Sequence, residues 1–331
     1  MTCFAGCNKK EDLTPITKDV EGLRLLKGVN LSALEDPLKP NRYLNKDSTY
    51  SDIADQGFDH IRLPVDFRCY CNESGVLNAD FQKRLDNIIN MANHAGLAVM
   101  LDFHGWYDLN VENGDDALFI TIWKYLAEHY KDYSNMLLFE LINEPHTTEG
   151  GDLGMIRLMQ LQSKTIEAIR AISPDRTIVV ATAEWNGSWT LKDFEPLEYD
   201  NLILAVHTYA PMDFTHQGQA WAGRGDDKYP LTDDMLIDLY TDLNRIKEFK
   251  ERTGMEVILN EFGASTNGVI SDDDLYRYFS TITKFADKND FGWTYWEYNS
   301  GFGVYDKGFL GIGGKWREVM LDALFLRERN K

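Results

Sequence analysis

Two glutamates sit in nearly identical surroundings. Glu144 closes the run Leu141-Ile142-Asn143 and is followed by Pro145-His146; Glu261 closes Val257-Ile258-Leu259-Asn260 and is followed by Phe262-Gly263. In both places an apolar, β-type stretch delivers an Asn-Glu pair to its C-terminal end. A carboxylate there faces a crowded, partly apolar site, which raises its pKa toward the value a proton donor needs near neutrality. Two such groups flanking one bond meet the chemical requirement of glycoside hydrolysis. One carboxylic acid protonates the leaving oxygen while the other carboxylate attacks the anomeric carbon. A covalent route of this kind places the two carboxyl groups about 5–5.5 Å apart. The competing reading of each glutamate is a buried ion pair with an arginine.

Other polar and aromatic residues fall at the same kind of position, at or just beyond the end of an apolar run: Asn30, Arg62, His104, Asn143, Trp185, His207, Tyr209 and Trp296. Arg62 is suited to hold a carboxylate ionised through charge-assisted hydrogen bonds, which predicts a nucleophile of lowered pKa. His104, His207 and Tyr209 can orient the carboxylates or bind hydroxyls, and Trp185 can present a flat ring. His104 and His207 lie in different runs, and neither has a second histidine two residues away. No metal and no cofactor is expected.

The elements that must position these residues alternate regularly. Runs rich in Val, Ile, Leu and Phe occur at 25–30, 60–64, 97–103, 137–142, 177–182, 202–207, 256–260 and 291–296, short and continuous as buried parallel strands are. Amphipathic segments follow at 80–94, 117–130, 155–172, 233–252 and 272–287, with Gly96 and Gly254 as stop signals. Eight strand–helix repeats predict an α/β protein with a single (β/α)8 barrel, whose chemistry collects at the C-terminal ends of the strands. No glycine fingerprint of a dinucleotide site follows the first run. The fifth unit is short, with room for a helix only at 191–197. The sixth carries a long loop at 211–230, and long barrel loops are usually functional. Trp123 and Trp293 read as core.

Among 331 residues, Asp and Glu exceed Lys and Arg by 53 to 34, a net charge of −19. That excludes a nucleic-acid partner, which needs clustered basic residues, and disfavours anionic lipid. No run reaches the ~18 apolar residues of a membrane span. Cys69 and Cys71 point to opposite faces of an extended segment and read as free thiols. Phe4-Ala5-Gly6-Cys7 before a polar stretch is similar to the end of a bacterial lipoprotein signal. The expected organisation is therefore a tail at 1–20, attached to a membrane only through a lipidated Cys7, and a catalytic barrel at 21–331. The chain is expected to be a monomer and to be secreted or held at the cell envelope, on the surface of a Gram-negative outer membrane if Cys7 is lipidated.

Taken in order, Ile61-Arg62-Leu63-Pro64, Leu101-Asp102-Phe103-His104, the stretch 139–145 (FELINEP), Val206-His207-Thr208-Tyr209, Asn260-Glu261-Phe262-Gly263 and Tyr295-Trp296-Glu297 resemble glycoside hydrolase family 5 from about Gly28 to Trp316. The resemblance implies a retaining, cofactor-free mechanism with Glu144 as acid/base and Glu261 as nucleophile. It implies support for the reacting sugar from Arg62, His104, Asn143, His207 and Tyr209, and a platform from Trp296. Thr182-Ala183-Glu184-Trp185, the stretch 214–218 (FTHQG) and the stretch 301–306 (GFGVYD) resemble the bacterial endo-β-1,4-glucanases of the family. The implied partner is cellulose or mixed-linkage β-glucan, with β-mannan or xyloglucan as alternatives on the same machinery. A catalytically silent glycan-binding barrel is the alternative of another class. Two departures stand out: His104-Gly105-Trp106-Tyr107 replaces a pair of consecutive histidines, and Gly28-Val29-Asn30-Leu31-Ser32 lacks a second Gly-Asn.

Overall fold

The structure, a computed structural model, describes residues 13–39, 42–105, 116–146, 152–308 and 313–328. Eight parallel strands close into one barrel in sequence order: β1 (Lys27–Asn30), β2 (His60–Val65), β3 (Ala98–Phe103), β4 (Leu137–Glu140), β5 (Ile178–Ala181), β6 (Leu202–His207), β7 (Glu256–Glu261) and β8 (Gly292–Tyr295). Helices cover its outside: α1 (Asp47–Asp55), α2 (Ala79–His94), α3 (Asp116–His129), α4 (Asp152–Arg170), α5 (Asp233–Thr253), α6 (Asp272–Lys288) and α7 (Glu318–Leu324). The local sequence fixes their ends. Asn78, Thr232 and Ser271 accept a backbone N–H from the first turn of α2, α5 and α6, and Gly254 stops α5 at φ 71.

Most of the apolar residues lie between the strands and this helical shell, with Trp123 and Trp293 fully buried there. The barrel interior is built in layers by the two-residue alternation of the strands. Inward positions of β3 run Ala98, Met100, Asp102; those of β4 and β7 run Leu138, Glu140 and Ile258, Asn260. The lower ones join Val179 and Ala205 in an apolar plug. Above it Asn30, Arg62, Asp102, Glu140 and Asn260 form a polar layer with no exposed surface. The strand alternation thus converts one sequence register into a sealed base and a charged floor. Gly28 is required where His60 crosses the interior: a Cβ there would stand 2.1 Å from the ring, which bonds Thr294 at 2.7 Å.

Residues 13–20 run along the base of the barrel, where Ser134 and Asn135 hydrogen-bond to Ile16, Asp19 and Val20. Two local expectations are corrected. No helix forms at 191–197; the fifth connection is a left-handed turn at 184–186 followed by a short 3-10 turn at Ser188–Thr190. The fourth strand ends at Glu140 rather than at Ile142. Cys69 and Cys71 are free thiols. Cys7 and Trp106-Tyr107 lie outside the described residues, and no helix among the described residues is long and apolar enough to cross a membrane.

Candidate active site

A cleft of about 1110 Å³ opens at the C-terminal ends of the strands, with Asn143, Glu144, His207, Tyr209, Glu261 and Trp296 in its wall. Glu144 follows β4, and Glu261 is the last residue of β7, across the barrel mouth. Oxygens of the two carboxylates and a ring nitrogen of His207 lie within 4.8 Å of one another.

Glu261 has the richer set of donors. Arg62 Nη1 donates to Oε1 at 2.6 Å, and the Tyr209 hydroxyl donates to Oε2 at 2.9 Å. Burial holds Tyr209 protonated far above its ordinary pKa, so it is a constant donor. The expectation of a lowered Glu261 pKa does not hold. Burial pushes it above the usual carboxylate range, against the pull of His207 and Arg62. Arg62 serves more than one acid: it forks onto Glu140 through Nε at 2.6 Å and Nη2 at 2.8 Å, and its Nη2 also reaches Asp102 at 3.0 Å. Burial alone would weaken its charge, but Asp102, Glu140 and Glu261 together hold its pKa well above the usual value.

Glu144 has fewer partners. His207 Nδ1 lies 2.7 Å from Oε1, and burial is the main reason its pKa is raised. His207 itself is driven down to about 4 by burial, so the ring is neutral at pH 7. A grouping of Glu144, His207 and Glu261 has the composition of a metal site. However, one Glu261 oxygen already accepts from a guanidinium, whose charge repels a dication. The donor set suits proton and carboxylate chemistry better.

The remaining candidates divide into a wall and a floor. His104 Nδ1 hydrogen-bonds Asp102 Oδ2 at 2.8 Å, and its ring stacks on Trp296 with ring centroids 5.8 Å apart. Asn143 accepts from Arg62 Nη2 at 2.6 Å, which leaves its amide nitrogen to donate into the cleft. Trp185 is 45% exposed at the rim and stacks on His146. Asn30 and Arg62 differ from the expectation of substrate contact. Both are fully buried beneath the cleft, Asn30 bonding Arg62 at 3.0 Å and the Asn260 carbonyl at 3.0 Å, so they act through Glu261.

Several residues of the site carried little sequence signal. Asp102 and Glu140 brace Arg62 from inside two apolar runs, and burial lifts Asp102 to about 7. Glu297, buried in the cleft wall and bonded by Ser300, is lifted by burial to about 8. Beyond their place in two family motifs, the clue to the first two was a charged residue inside an apolar strand.

A closed (β/α)8 barrel with two carboxylates facing each other across its mouth defines a class: a glycoside hydrolase barrel. Comparison with known proteins gives the family. Residues 19–301 match the model of cellulase (glycosyl hydrolase family 5). Endoglucanase 3 of Fibrobacter succinogenes is 25% identical over 80% of this chain, which spans 48% of that relative's length. Cellodextrinase A of Ruminococcus flavefaciens is 24% identical, with 80% and 83% covered. Among solved structures, Thermotoga maritima Cel5A with cellobiose is 30% identical at a TM-score of 0.81, with 91% of this chain and 97% of that one covered. The cellulose synthase subunit Z of Clostridioides difficile is 27% identical at 0.81, with 91% and 99% covered. The chain belongs to the cellulase family, glycosyl hydrolase family 5, and its barrel is a glycoside hydrolase of the endoglucanase type.

Proposed function

We propose that the chain hydrolyses internal β-1,4-glucosidic bonds of cellulose-type or mixed-linkage β-glucan by double displacement. Glu144 protonates the departing glycosidic oxygen while the ionised Glu261 attacks the anomeric carbon, giving a covalent glycosyl-enzyme and a shortened chain. Glu144, now a carboxylate, takes a proton from water as that water attacks the same carbon and Glu261 leaves. The observation that carries this reading is the approach of the two side chains: one oxygen of each carboxylate lies within 4.8 Å of the other, which favours direct attack over the wider separation of carboxyl groups, about 6.5–9.5 Å, that inversion needs to admit a water. The unequal hydrogen bonding distributes the roles. Glu261 accepts from Arg62 and Tyr209, which favour its ionised form, whereas the partner of the Glu144 carboxyl among the described residues is the neutral ring of His207.

An open cleft edged by Trp185 and Trp221, the latter 72% exposed, supports binding along a chain rather than at its end. Glucan is favoured by the endoglucanase relatives. T. maritima Cel5A has also been solved with mannotriose, at 29% identity, so mannan is the second reading. Proton NMR of the first-formed product from a β-1,4-gluco-oligosaccharide tests the mechanism: the β-anomer is expected, and the α-anomer would overturn double displacement. Initial rates on barley β-glucan, carboxymethylcellulose, xyloglucan and glucomannan test the substrate, and a mannan rate above the glucan rates would overturn it. We further place the enzyme outside the cytoplasm as a monomer, with Cys7 as a lipid anchor; mass spectrometry of the protein from its native membrane tests the anchor.

A further inference from the structure

Glu184, Trp185 and Asn186 adopt φ values of 52°, 59° and 56°, three left-handed residues in succession. Such a run is unfavourable for L-residues, and Asn is the side chain of the three that tolerates it. Its consequence is a division of labour: Trp185 turns out to the rim and Asn186 turns inward to a fully buried position beneath His207. Two backbone groups fix the Asn186 amide. Its Oδ1 accepts the Thr182 N–H at 2.9 Å and its Nδ2 donates to the Asn143 carbonyl. A backbone N–H can only donate and a carbonyl can only accept, so the amide has one allowed orientation.

The same Nδ2 faces His207 Nε2 at 3.5 Å. A donor opposite Nε2 favours the tautomer in which Nε2 accepts and the ring proton sits on Nδ1, which lies 2.7 Å from Glu144 Oε1. The turn is held against the end of β6: Gly187 pairs with His207, and Ser188 and Thr208 both donate to Asp242 at 2.6 Å. We propose that Asn186 is a positioning residue for the acid/base: it holds His207 as the Nδ1–H tautomer and thereby gives Glu144 a fixed, neutral donor. The proposal rests on the acid/base role assigned to Glu144.

His207 faces charge on several sides: Glu144 and Glu140 from β4 and its loop, Glu261 from β7, Arg62 from β2, and the ring of His104 beyond β3. Neutrality of the ring therefore matters. A cationic His207 would stabilise the Glu144 carboxylate, lower its pKa, and strip its proton at a lower pH.

Two variants of the full chain test this. Asn186→Gly keeps a left-handed backbone while removing the amide. Asn186→Asp keeps the acceptor for Thr182 but offers His207 Nε2 an acceptor instead of a donor. The readouts are ¹⁵N-histidine NMR, with His207 assigned by its loss in His207→Gln, and the pH profile of kcat/KM. In the parent, Nδ1 carries the proton from pH 5 to 8. In Asn186→Asp, Nε2 becomes protonated, the ring stays cationic to higher pH, and the basic limb of kcat/KM moves down by about one unit. In Asn186→Gly the tautomers mix, and kcat on an unactivated oligosaccharide falls about tenfold, more than on an activated aryl cellobioside. An Nε2–H tautomer in the parent, or parental spectra and pH profiles in both variants, would overturn the proposal. Full activity of Glu144→Gln on unactivated substrate would instead overturn the acid/base reading, leaving the tautomer measurement standing.

Discussion

Arg62 Nη1 lies 2.6 Å from Glu261 Oε1, and that contact joins the buried polar layer of the barrel to the floor of the cleft. Below it the same guanidinium is clasped by Glu140 and touched by Asp102. Glu261 is therefore the cleft-facing end of a buried ion network whose cation, among the described residues, is Arg62. Its Oε1 is fixed from beneath by a guanidinium with no exposed surface, while Tyr209 holds Oε2 from the cleft wall.

Replacing that cation should damage both stability and catalysis. Arg62→Lys retains a charge but cannot fork onto Glu140 and still reach Glu261. Arg62→Met removes the charge and strands the carboxylates, which should destabilise the fold by about 3–5 kcal/mol. Urea unfolding at pH 7 should rank parent above Lys above Met. Equal stability of parent and Met variant would refute the network's role.

The two glutamates should fail differently. Glu261→Ala is expected to lose roughly 10⁴–10⁶ in kcat, as loss of a nucleophile does elsewhere, while its thermal unfolding stays cooperative. Azide should restore turnover and give a glycosyl azide. Glu144→Ala should lose roughly 10²–10⁴ on unactivated glucan and far less on an aryl glycoside, whose leaving group needs no proton. Reversal of that pattern between the two variants would exchange their roles.

The barrel and its two glutamates were legible because the strands are short, largely apolar runs and two of them lead into an Asn-Glu pair at their C-terminal ends. The hydrogen-bond economy beneath them was not. Asp102 and Glu140 sit inside apolar runs, and only the closed barrel brings them to Arg62 from two other strands. Asn30 and Arg62 belong to the site, yet their depth depends on the alternation of the strand and the position of its last residue. The course of the fifth connection, which has no helix at 191–197, begins with three left-handed residues, and only the Asn among them hints at such a backbone in the sequence.

Glu297 makes a pH prediction with a definite sign. Burial lifts its folded-state pKa to about 8, above the ordinary glutamate value of about 4.3. The folded protein then binds a proton that the unfolded chain has released, so this group withdraws stability as pH rises from about 4.5 to 8. Asp102, lifted to about 7, acts in the same direction. Glu297→Gln keeps an uncharged partner for Ser300 and removes the titration. Its melting temperature should match the parent near pH 4.5 and exceed it at pH 8. A constant difference across that range would exclude Glu297 as the titrating group.

Gly105 accounts physically for a departure from the family pattern. A Cβ at this position would stand 2.0 Å from Asp66 Cγ and 2.1 Å from its Oδ1, so no side chain fits while Asp66 remains in place. Asp66 is held by its own bonds to the Arg68 backbone and guanidinium, at 3.0–3.1 Å. Gly105→Ala should therefore destabilise by about 1–3 kcal/mol, and should also disturb the adjoining His104, loosening its stack on Trp296. Asp66→Ala alone loses the capping bond to the Arg68 N–H, about 1 kcal/mol. In the double variant the atoms that collide are gone, so the two effects should fall short of additivity by at least ~0.5 kcal/mol. kcat on β-glucan should recover together with stability. Strict additivity in chemical denaturation would mean that the loop after β3 moves aside rather than pressing on Asp66. In that case the glycine is not what fixes His104 in the cleft.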